Sequence, residues 1–270
     1  MLTIAAASGN SFAYLWLNDA PPSFLGPDWA RALCPRGRGL GIDGLFLLHP
    51  FKEGEPWRMD HWEPDGSRTF CSNGTRAAAS MLPENLFGCI EAEVSGEGVS
   101  LRLDDQGVGL RLPEGRPYGL QSSPLPLELP HALGWTGTPH LIVEVADVAQ
   151  VDLASFAPPL RFHPLLPEGA NISIIHILAP GRARIRTWER GVEGETLCCG
   201  QGCAVAGAWL AQRTGIADWA FQPAGEDPVR VTMAAMTDGR WTGLWLAGPI
   251  RRIGSFIPEP QLFCATSNAK

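Results

Sequence analysis

Short stretches of alternating or continuous apolar residues recur along the whole chain, and each is bounded by glycine, proline or aspartate. Runs of this length with such boundaries predict β-strands. The predicted strands are Ala13–Leu17, Gly44–Leu48, Val99–Leu103, Val108–Leu112, Leu141–Val145, Ile172–Leu178, Ala183–Trp188, Val229–Met233 and Trp241–Leu246. Helical spacing is found mainly in three stretches, Gly26–Leu33, Thr75–Leu82 and Cys203–Gln212, the last followed by Gly215 as a stop signal. The pattern therefore predicts an α+β chain that is rich in strands.

One short pattern occurs twice. Cys71-Ser-Asn-Gly74 and Cys199-Gly-Gln-Gly202 both have the form Cys-x-polar-Gly, and each precedes an alanine-rich helical stretch. Gly9 and Gly137, which open two similar segments, are separated by the same number of residues as the two cysteines. The repeat indicates a duplicated domain, although short motifs also match by chance. The segment Pro113–Gly137 has the densest run of turn residues, so it is the predicted connection between the halves.

Composition narrows the class of protein. The chain has 270 residues, 45% of them hydrophobic and 18% charged, with a mean hydropathy of −0.01. This balance excludes intrinsic disorder, and no apolar run is long enough for a membrane span. A net charge of −7 argues against a nucleic-acid binder and favours a small-molecule substrate. The N-terminus lacks the basic region of a secretory signal, so we expect a cytoplasmic protein.

The chain has no sequence signal for a cofactor. Phosphate-binding glycine patterns are missing, and the two lysines, Lys52 and Lys270, make a Schiff-base cofactor a poor fit. The three cysteines that are clustered in the sequence, Cys198, Cys199 and Cys203, lack the paired spacing of a zinc site. The prediction is an enzyme that uses neither a cofactor nor a metal.

The seven cysteines form an odd set, so reduced thiols are expected. Cys71 and Cys199 each precede a predicted helix, where free N–H groups lower a thiol pKa from about 8.5. Two thiols on opposite faces of a carbon can invert it, one removing a proton and the other returning one. Which cysteine starts as the thiolate stays open. The other cysteines are predicted to be buried packing residues: Cys34, Cys89, Cys198, Cys203 and Cys264.

At these positions the chain resembles the diaminopimelate epimerase family of two-cysteine amino-acid epimerases. The similar motifs follow the family's order along nearly the whole chain: Gly9-Asn-Ser-Phe12, Cys34-Pro-Arg-Gly-Arg-Gly-Leu-Gly-Ile-Asp-Gly44, Glu63-Pro-Asp-Gly-Ser67, Cys71-Ser-Asn-Gly-Thr-Arg76, Gly137-Thr-Pro-His140, Asn171 and Glu189-Arg-Gly-Val-Glu-Gly-Glu-Thr-Leu-Cys-Cys-Gly-Gln-Gly202. The last block is the most specific of them.

The resemblance implies roles for named residues. It makes Cys71 and Cys199 the two acid/base groups, and the backbone amides of Ser72, Asn73, Gly200 and Gln201 the cradle of the reacting carboxylate. It places His140 and Glu189 where they tune the protonation of the thiols. It also assigns substrate binding to the remaining members of the set, with Arg190 holding a distal carboxylate and Glu189 an ammonium: Asn10, Gly44, Glu63, Thr138, Asn171, Glu189 and Arg190.

The resemblance further implies an architecture. It predicts two pseudo-symmetric domains, each a β-sheet wrapped around a central helix, with the active site in the cleft between them. The first domain would comprise residues 1–115 and 250–270, and the second residues 116–249. The family also implies a homodimer and a role in making lysine and peptidoglycan precursors from LL-diaminopimelate.

Three positions depart from the family pattern. Glu63 and Thr138 stand where the family has asparagines, and Ser72 stands where it has glycine. A carboxylate at Glu63 suits an amine, guanidinium or imidazole, so a racemase of a basic amino acid is an alternative, whereas Arg190 favours a second carboxylate. A phenazine-type isomerase would share the fold but lack the cysteine pair. A non-catalytic ligand-binding member of the fold is the remaining alternative.

Overall fold

The computed structural model describes residues 1–17, 25–105, 107–112, 119–121, 123–136, 138–225, 227–237 and 240–257. The chain divides into two compact units, the first formed by Met1–Leu110 with Ile250–Lys270 and the second by Arg111–Pro249. The domain boundary expected from the sequence falls a few residues later, after residue 115. No helix in the described part of the chain is long and apolar enough to cross a membrane.

The first unit contains a mixed sheet and two helices. Its elements are β1 (Leu2–Ala7), β2 (Asn10–Trp16), α1 (Leu25–Leu33), β3 (Gly44–Leu48), β4 (Trp57–Trp62), α2 (Ser72–Ala79), β5 (Gly88–Val94), β6 (Glu97–Asp104) and β7 (Gly107–Arg111). The last strand of the chain, Ile250–Phe256, also belongs to this unit, where it pairs antiparallel with β1. A short 3-10 helix covers Glu84–Leu86.

The sheet of the first unit lies around α2. β1 pairs antiparallel with β2, β2 parallel with β3, β3 antiparallel with β4, β4 parallel with β5 and β5 antiparallel with β6. All eight residues of α2 are buried, and strands β1, β2, β3 and β6 contact it. Its alanines and glycine let the surrounding strands approach closely, which is why a helix this short can form the centre of the unit.

The second unit repeats this plan. Its elements are β8 (Gly119–Gln121), β9 (His131–Trp135), β10 (Pro139–Glu144), α3 (Leu153–Arg161), β11 (Asn171–Ala179), β12 (Arg182–Glu189), β13 (Gly194–Thr196), α4 (Gly200–Thr214), β14 (Asp218–Gln222), β15 (Val229–Thr237) and β16 (Arg240–Ala247); the returning strand is β17 (Ile250–Phe256). A 3-10 helix covers Val148–Gln150.

Helix α4 is the centre of the second unit. Eleven of its first twelve residues are apolar or small, and all eleven are buried. Strands on all sides contact the helix, from β8 through β11 and from β14 through β16. β16 pairs with β8 through Arg240 and Gly119, so the sheet closes on itself around the helix. Gly215 ends α4 with a φ of 74°, a left-handed conformation that favours glycine. The predicted stop signal is confirmed.

The order and direction of the strands are the same in the two units. β10 pairs antiparallel with β9 and parallel with β11, β11 antiparallel with β12, β12 parallel with β14 and β14 antiparallel with β15. The central helix follows the fourth strand of the series in each unit. Pseudo-symmetric units, each with a sheet wrapped around a helix, are the α+β fold that the family resemblance implied.

Every predicted strand is present, but several predictions need correction. The segment Pro113–Gly137 is not purely a connection, because it contains β8 and β9, which pair with each other. The central helices begin at Ser72 and Gly200, earlier than predicted, because polar and glycine residues in the first turn hid their starts from the apolar spacing. The sequence also missed α3, which carries two prolines, and the following strands: β1, β4, β5, β8, β9, β13, β14 and β17.

The cysteines predicted to be packing residues divide into two groups. Cys34, Cys198 and Cys203 are buried, as expected. Cys89 is exposed, so that prediction was wrong. It lies at the start of β5, where the side chains alternate between a buried and an exposed face. Cys264 lies outside the described residues.

Candidate active site

Each of the two central helices begins directly after a cysteine. Cys71 is the N-cap of α2, with φ −130° and ψ 114°, and Cys199 is the N-cap of α4, with φ −115° and ψ 104°. Both cysteines are partly exposed, whereas Ser72 and Gly200, the first residues of the helices, are buried. The N–H groups of a first helical turn have no intrahelical acceptor, so each end can bind an anion such as a carboxylate.

A buried polar network supports the start of α2. Asn73 Nδ2 donates to Asn10 Oδ1 at 2.9 Å, which joins the helix to the first residue of β2. Arg76 Nη2 donates to Asn73 Oδ1 at 3.1 Å and to Ser8 Oγ at 2.7 Å, and Arg76 is 0% exposed. The two predicted substrate-binding asparagines therefore lie together in the first unit, and a buried guanidinium fixes the orientation of Asn73.

Glu63 follows β4 in the same unit. Thr69 Oγ1 donates to Glu63 Oε1 at 2.7 Å, and Thr69 Oγ1 also lies 3.2 Å from His61 Nδ1. The Glu63 side chain is 38% exposed. Partial burial raises the pKa of Glu63, the Thr69 hydrogen bond opposes this, and the negative charges of Asp65 and Asp43 add to the rise.

Gly44, the first residue of β3, lies against the imidazole of His61. A Cβ at Gly44 would come within 2.5 Å of His61 Nε2, so only glycine leaves room for the ring. His61 is fully buried and stacks on Phe46 with a centroid distance of 4.5 Å. Burial lowers the pKa of His61 to about 4, opposed by its hydrogen bond with the Thr69 backbone, so the ring is neutral near pH 7.

In the second unit, four predicted residues form one hydrogen-bonded group. Thr138 Oγ1 lies 3.1 Å from His140 Nε2, and it accepts a hydrogen bond from Asn171 Nδ2 at 3.2 Å. Gln201 Oε1 accepts from Thr138 Oγ1 at 3.4 Å. β10 and β11 bring Asn171 directly opposite His140 in their parallel register. Gln201 lies in the first turn of α4, so the group is attached to the helix end beside Cys199.

His140 is neutral at physiological pH. Its complete burial lowers its pKa to about 3, the positive charge of Arg190 acts in the same direction, and a hydrogen bond with Gln201 opposes the shift. An imidazole in this state serves as a hydrogen-bonding group and not as a charge.

Glu189 and Arg190 follow one another at the end of β12. Thr196 Oγ1 donates to Glu189 Oε1 at 2.5 Å. The Arg190 backbone N–H donates to Asn171 Oδ1 at 2.9 Å, and Arg190 Nη1 donates to the carbonyl oxygen of Glu168 at 2.9 Å. Among the described residues, the Arg190 guanidinium donates only to the Glu168 carbonyl in the loop before β11, which leaves its other N–H groups available for a second partner.

The protonation of Cys199 depends on this surrounding charge. Desolvation raises the pKa of the Cys199 thiol well above its usual value, and the negative charge of Glu189 raises it further. The backbone N–H groups of Gly202 and Gln201 act in the opposite direction because they stabilise a thiolate. The balance keeps Cys199 as a neutral thiol near pH 7.

The structure thus brings the predicted residues into two groups, one in each unit. The first group contains Asn10, Gly44, Glu63, Cys71, Ser72 and Asn73; the second contains Thr138, His140, Asn171, Glu189, Arg190, Cys199, Gly200 and Gln201. Four contributors were missed from the sequence: His61, Thr69, Glu168 and Thr196. Thr69, in a loop, and Thr196, the last residue of β13, lie shortly before the two cysteines, but a threonine carries no signal of its own without the partner that folding brings to it.

Comparison with known proteins identifies close sequence relatives. The family model described as diaminopimelate epimerase matches residues 134–232. The diaminopimelate epimerase of Synechococcus sp. (strain JA-2-3B'a(2-13)) is 32% identical over 260 residues, which cover 86% of this chain and 88% of the relative. That of Gemmatimonas aurantiaca is 33% identical over 234 residues, which cover 79% of each chain.

Solved structures share the fold at much lower identity. A hydroxyproline epimerase from Agrobacterium vitis superimposes with a TM-score of 0.67 at 15% identity, covering 94% of this chain and 89% of the other. A phenazine biosynthesis protein of the PhzF family from Bacillus anthracis gives a TM-score of 0.69 at 16% identity, covering 94% and 97%. The fold is therefore shared by proteins whose described functions differ. Identity of about one third over most of the chain is a more specific observation, and it shows that this protein is an isomerase of the amino-acid epimerase class that belongs to the diaminopimelate epimerase family.

Proposed function

We propose that the protein epimerises diaminopimelate at one α-carbon, with Cys71 and Cys199 as the two acid/base groups. The observation that carries the proposal is the repetition of one arrangement: in each unit a partly exposed cysteine is the N-cap of the buried central helix. Packing gives no reason for a thiol at both positions. Two-base epimerisation explains both thiols, because it needs one proton acceptor and one proton donor of the same kind.

The chemistry balances with the two sulfurs alone. One thiolate removes the α-proton, and the electron pair of the broken C–H bond moves into the carboxylate. The other thiol then donates its proton to the opposite face of the carbon. Backbone N–H groups of Ser72, Asn73, Gly200 and Gln201, which belong to the first turns of the helices, stabilise the charge that develops on the carboxylate.

We assign Cys199 the donor role at the start of a cycle, and the raised pKa of its thiol supports this choice. Cys71 is then the base in that direction, and the roles exchange in the reverse reaction. Glu189 contributes by keeping Cys199 protonated until the thiol donates its proton to the α-carbon. His140 contributes as a neutral hydrogen-bonding group of the Thr138 network.

Diaminopimelate fits the charges of the candidate residues. Arg190 can bind a second carboxylate through the N–H groups that Glu168 does not use, and Glu189 can accept from an ammonium. The reaction would supply a precursor of lysine and peptidoglycan in the cytoplasm, and by analogy with the family the enzyme would be a homodimer. A racemase of a basic amino acid is the second candidate, because Glu63 adds a carboxylate where the family has a neutral amide.

The test is exchange of the substrate α-proton with solvent. Diaminopimelate and a panel of L-amino acids are incubated in D2O with the reduced enzyme, and loss of the α-proton signal is followed by proton NMR. We expect exchange with diaminopimelate and none in Cys71→Ala or Cys199→Ala. Cys89→Ala is the matched control, because Cys89 is an exposed thiol outside both helix ends. Inversion of the α-carbon that survives in either active-site variant would refute the two-base mechanism.

A further inference from the structure

A chain of hydrogen bonds in the first unit ends on Glu63. A threonine hydroxyl has one proton, and Thr69 Oγ1 lies 2.7 Å from Glu63 Oε1, which can only accept. Thr69 Oγ1 must then accept from His61 Nδ1, 3.2 Å away, and the Thr69 carbonyl, 3.3 Å from the same nitrogen, requires the same tautomer. The direction of donation is therefore His61 to Thr69 to Glu63.

The origin of this chain is rigid. His61 is 0% exposed and is held between Phe46, on which it stacks, and Phe12, whose ring meets it edge-on at 5.7 Å. A ring fixed on two sides cannot follow a mobile carboxylate. Thr69 and Glu63 must instead adopt the position that the ring sets, so one oxygen of Glu63 is fixed by the fold.

The second oxygen of this carboxylate is left for another partner. Glu63 Oε2 has no hydrogen-bond partner among the described residues, and the side chain is 38% exposed. In that part of the chain Glu63 also forms no ion pair with a lysine or arginine. The one basic side chain described within 4.0 Å of its carboxylate is His61, and that ring is neutral. The nearby arginines are engaged elsewhere, Arg31 with Asp28 and Arg68 with Asp60.

The neighbouring charges are of the same sign. Asp43 and Asp65 both act on Glu63 as negative charges, and Asp43 is itself held by the Ser11 backbone N–H at 2.7 Å. Among the described residues no lysine or arginine forms an ion pair with Glu63, so a cation supplied from outside would relieve the repulsion from Asp43 and Asp65. A second carboxylate of a ligand would meet repulsion at this point.

We propose that Glu63, positioned by Thr69 and His61, recognises a positively charged nitrogen on the side chain of the substrate and makes the enzyme selective for amino acids that carry one. The inference rests on the proposed function and deepens it, because it names the substrate group that Glu63 binds. Glu63 is the contact residue, and Thr69 and His61 act through it as positioning residues. The ammonium at the far end of diaminopimelate and the side chain of a basic amino acid both satisfy the requirement.

Matched ligand pairs isolate the cation. Diaminopimelate is compared with 2-aminopimelate, which keeps both carboxylates and lacks the distal amine, and lysine is compared with norleucine. We expect Glu63→Gln to lower kcat/KM for the amine-bearing member of the preferred pair by about 10- to 100-fold, mainly through KM, and to leave the amine-free member nearly unchanged. The ratio within the pair is the measured quantity.

Two further variants test the positioning role. Thr69→Val removes the hydroxyl and should reduce the same ratio by about 3- to 10-fold, whereas Thr69→Ser should restore it, which a loss of packing alone would not do. The matched control is Glu91→Gln, because Glu91 is an exposed carboxylate of the same unit that accepts from Ser100 Oγ at 3.1 Å. Circular dichroism establishes that each variant is folded.

A binding measurement separates this inference from the proposed function. The same ligand pairs are titrated calorimetrically into the Cys71→Ala, Cys199→Ala double variant, with and without Glu63→Gln. Selective binding of the amine-bearing ligand that is lost in Glu63→Gln, without α-proton exchange in the native enzyme, would support the inference and refute the epimerase. Exchange with a ratio unchanged by Glu63→Gln would refute the inference alone. Absence of binding to all four ligands would overturn the inference as well.

Discussion

Gly74 and Gly202 each lie three residues after one of the two candidate catalytic cysteines, and the two glycines have different surroundings. A Cβ at Gly74 would lie 2.2 and 2.5 Å from Cε2 and Cζ of Phe46. A Cβ at Gly202 would lie 2.9 Å from Ser173 Oγ and 3.5 Å from its next neighbours. We therefore predict that the same substitution, glycine to alanine, destabilises the protein at Gly74 and has little effect at Gly202.

The magnitude follows from the contacts. Carbon atoms pack at about 3.5–4.0 Å, so the Phe46 ring or α2 must move by more than an ångström in Gly74→Ala. Phe46 stacks on His61 and on Tyr14, whose hydroxyl donates to the Gly74 carbonyl at 2.9 Å, so the ring has little freedom. Such overpacking costs about 1–3 kcal/mol, and the gain in helix propensity offsets only about 0.5–1 kcal/mol.

In Gly202→Ala the nearest obstacle is a hydroxyl that can move by a few tenths of an ångström. Ser173 Oγ lies 2.9 Å from Thr187 Oγ1, and this pair can adjust as a unit. Because alanine also favours the helix, we expect a change in unfolding free energy within about 1 kcal/mol of zero.

Thermal unfolding of the two variants under the same conditions is the measurement. At about 2–4 °C per kcal/mol for a chain of this size, Gly74→Ala should unfold several degrees below Gly202→Ala. Gly74→Ala should also lose activity, since displacement of α2 moves Cys71. Equal melting temperatures would show that the aromatic cluster around Phe46 yields without cost, and the packing argument would be wrong.

Three further predictions concern the buried charges and the histidines. The pKa values of His61 and His140 are about 4 and about 3, against 6.5 for a free histidine, so the stability that both neutral rings contribute is complete above about pH 6.5 and is lost as the pH falls towards those values. Urea unfolding midpoints between about pH 7.5 and pH 4 measure this loss. His140→Gln should make the midpoint depend less steeply on pH. Glu189→Gln should lower the pKa of Cys199, seen as thiolate absorbance appearing at lower pH than in the native enzyme, and an unchanged titration would contradict the charge argument. Arg76→Met should lower the unfolding free energy by about 2–4 kcal/mol, since Ser8 and Asn73 lose a buried charged donor, and a melting temperature within a degree of the native value would refute that role.

Local pattern was sufficient for much of the fold. A strand buried on one or both faces leaves its periodicity in the sequence, so Gly44–Leu48 was predicted with the bounds that it has in the structure. The helix α3 was not predictable in the same way, since Pro158 and Pro159 oppose it locally and its burial against β11 and β12 outweighs them. Strands such as β9 were hidden because short apolar segments between turn residues gain their structure from a partner strand.

The sequence by itself determined the two cysteines, since a thiol before a glycine-containing helical segment is a local pattern and it occurs twice. Tertiary structure decided what surrounds them. Asn10 meets Asn73, and Asn171 meets His140, only because strands distant in the chain pair in a particular register. The orientation of Glu63 depends likewise on a histidine packed among aromatic rings. Hydrogen-bond geometry and desolvation are properties of groups brought together in space, so their effects on charge and protonation arise only when the chain has folded.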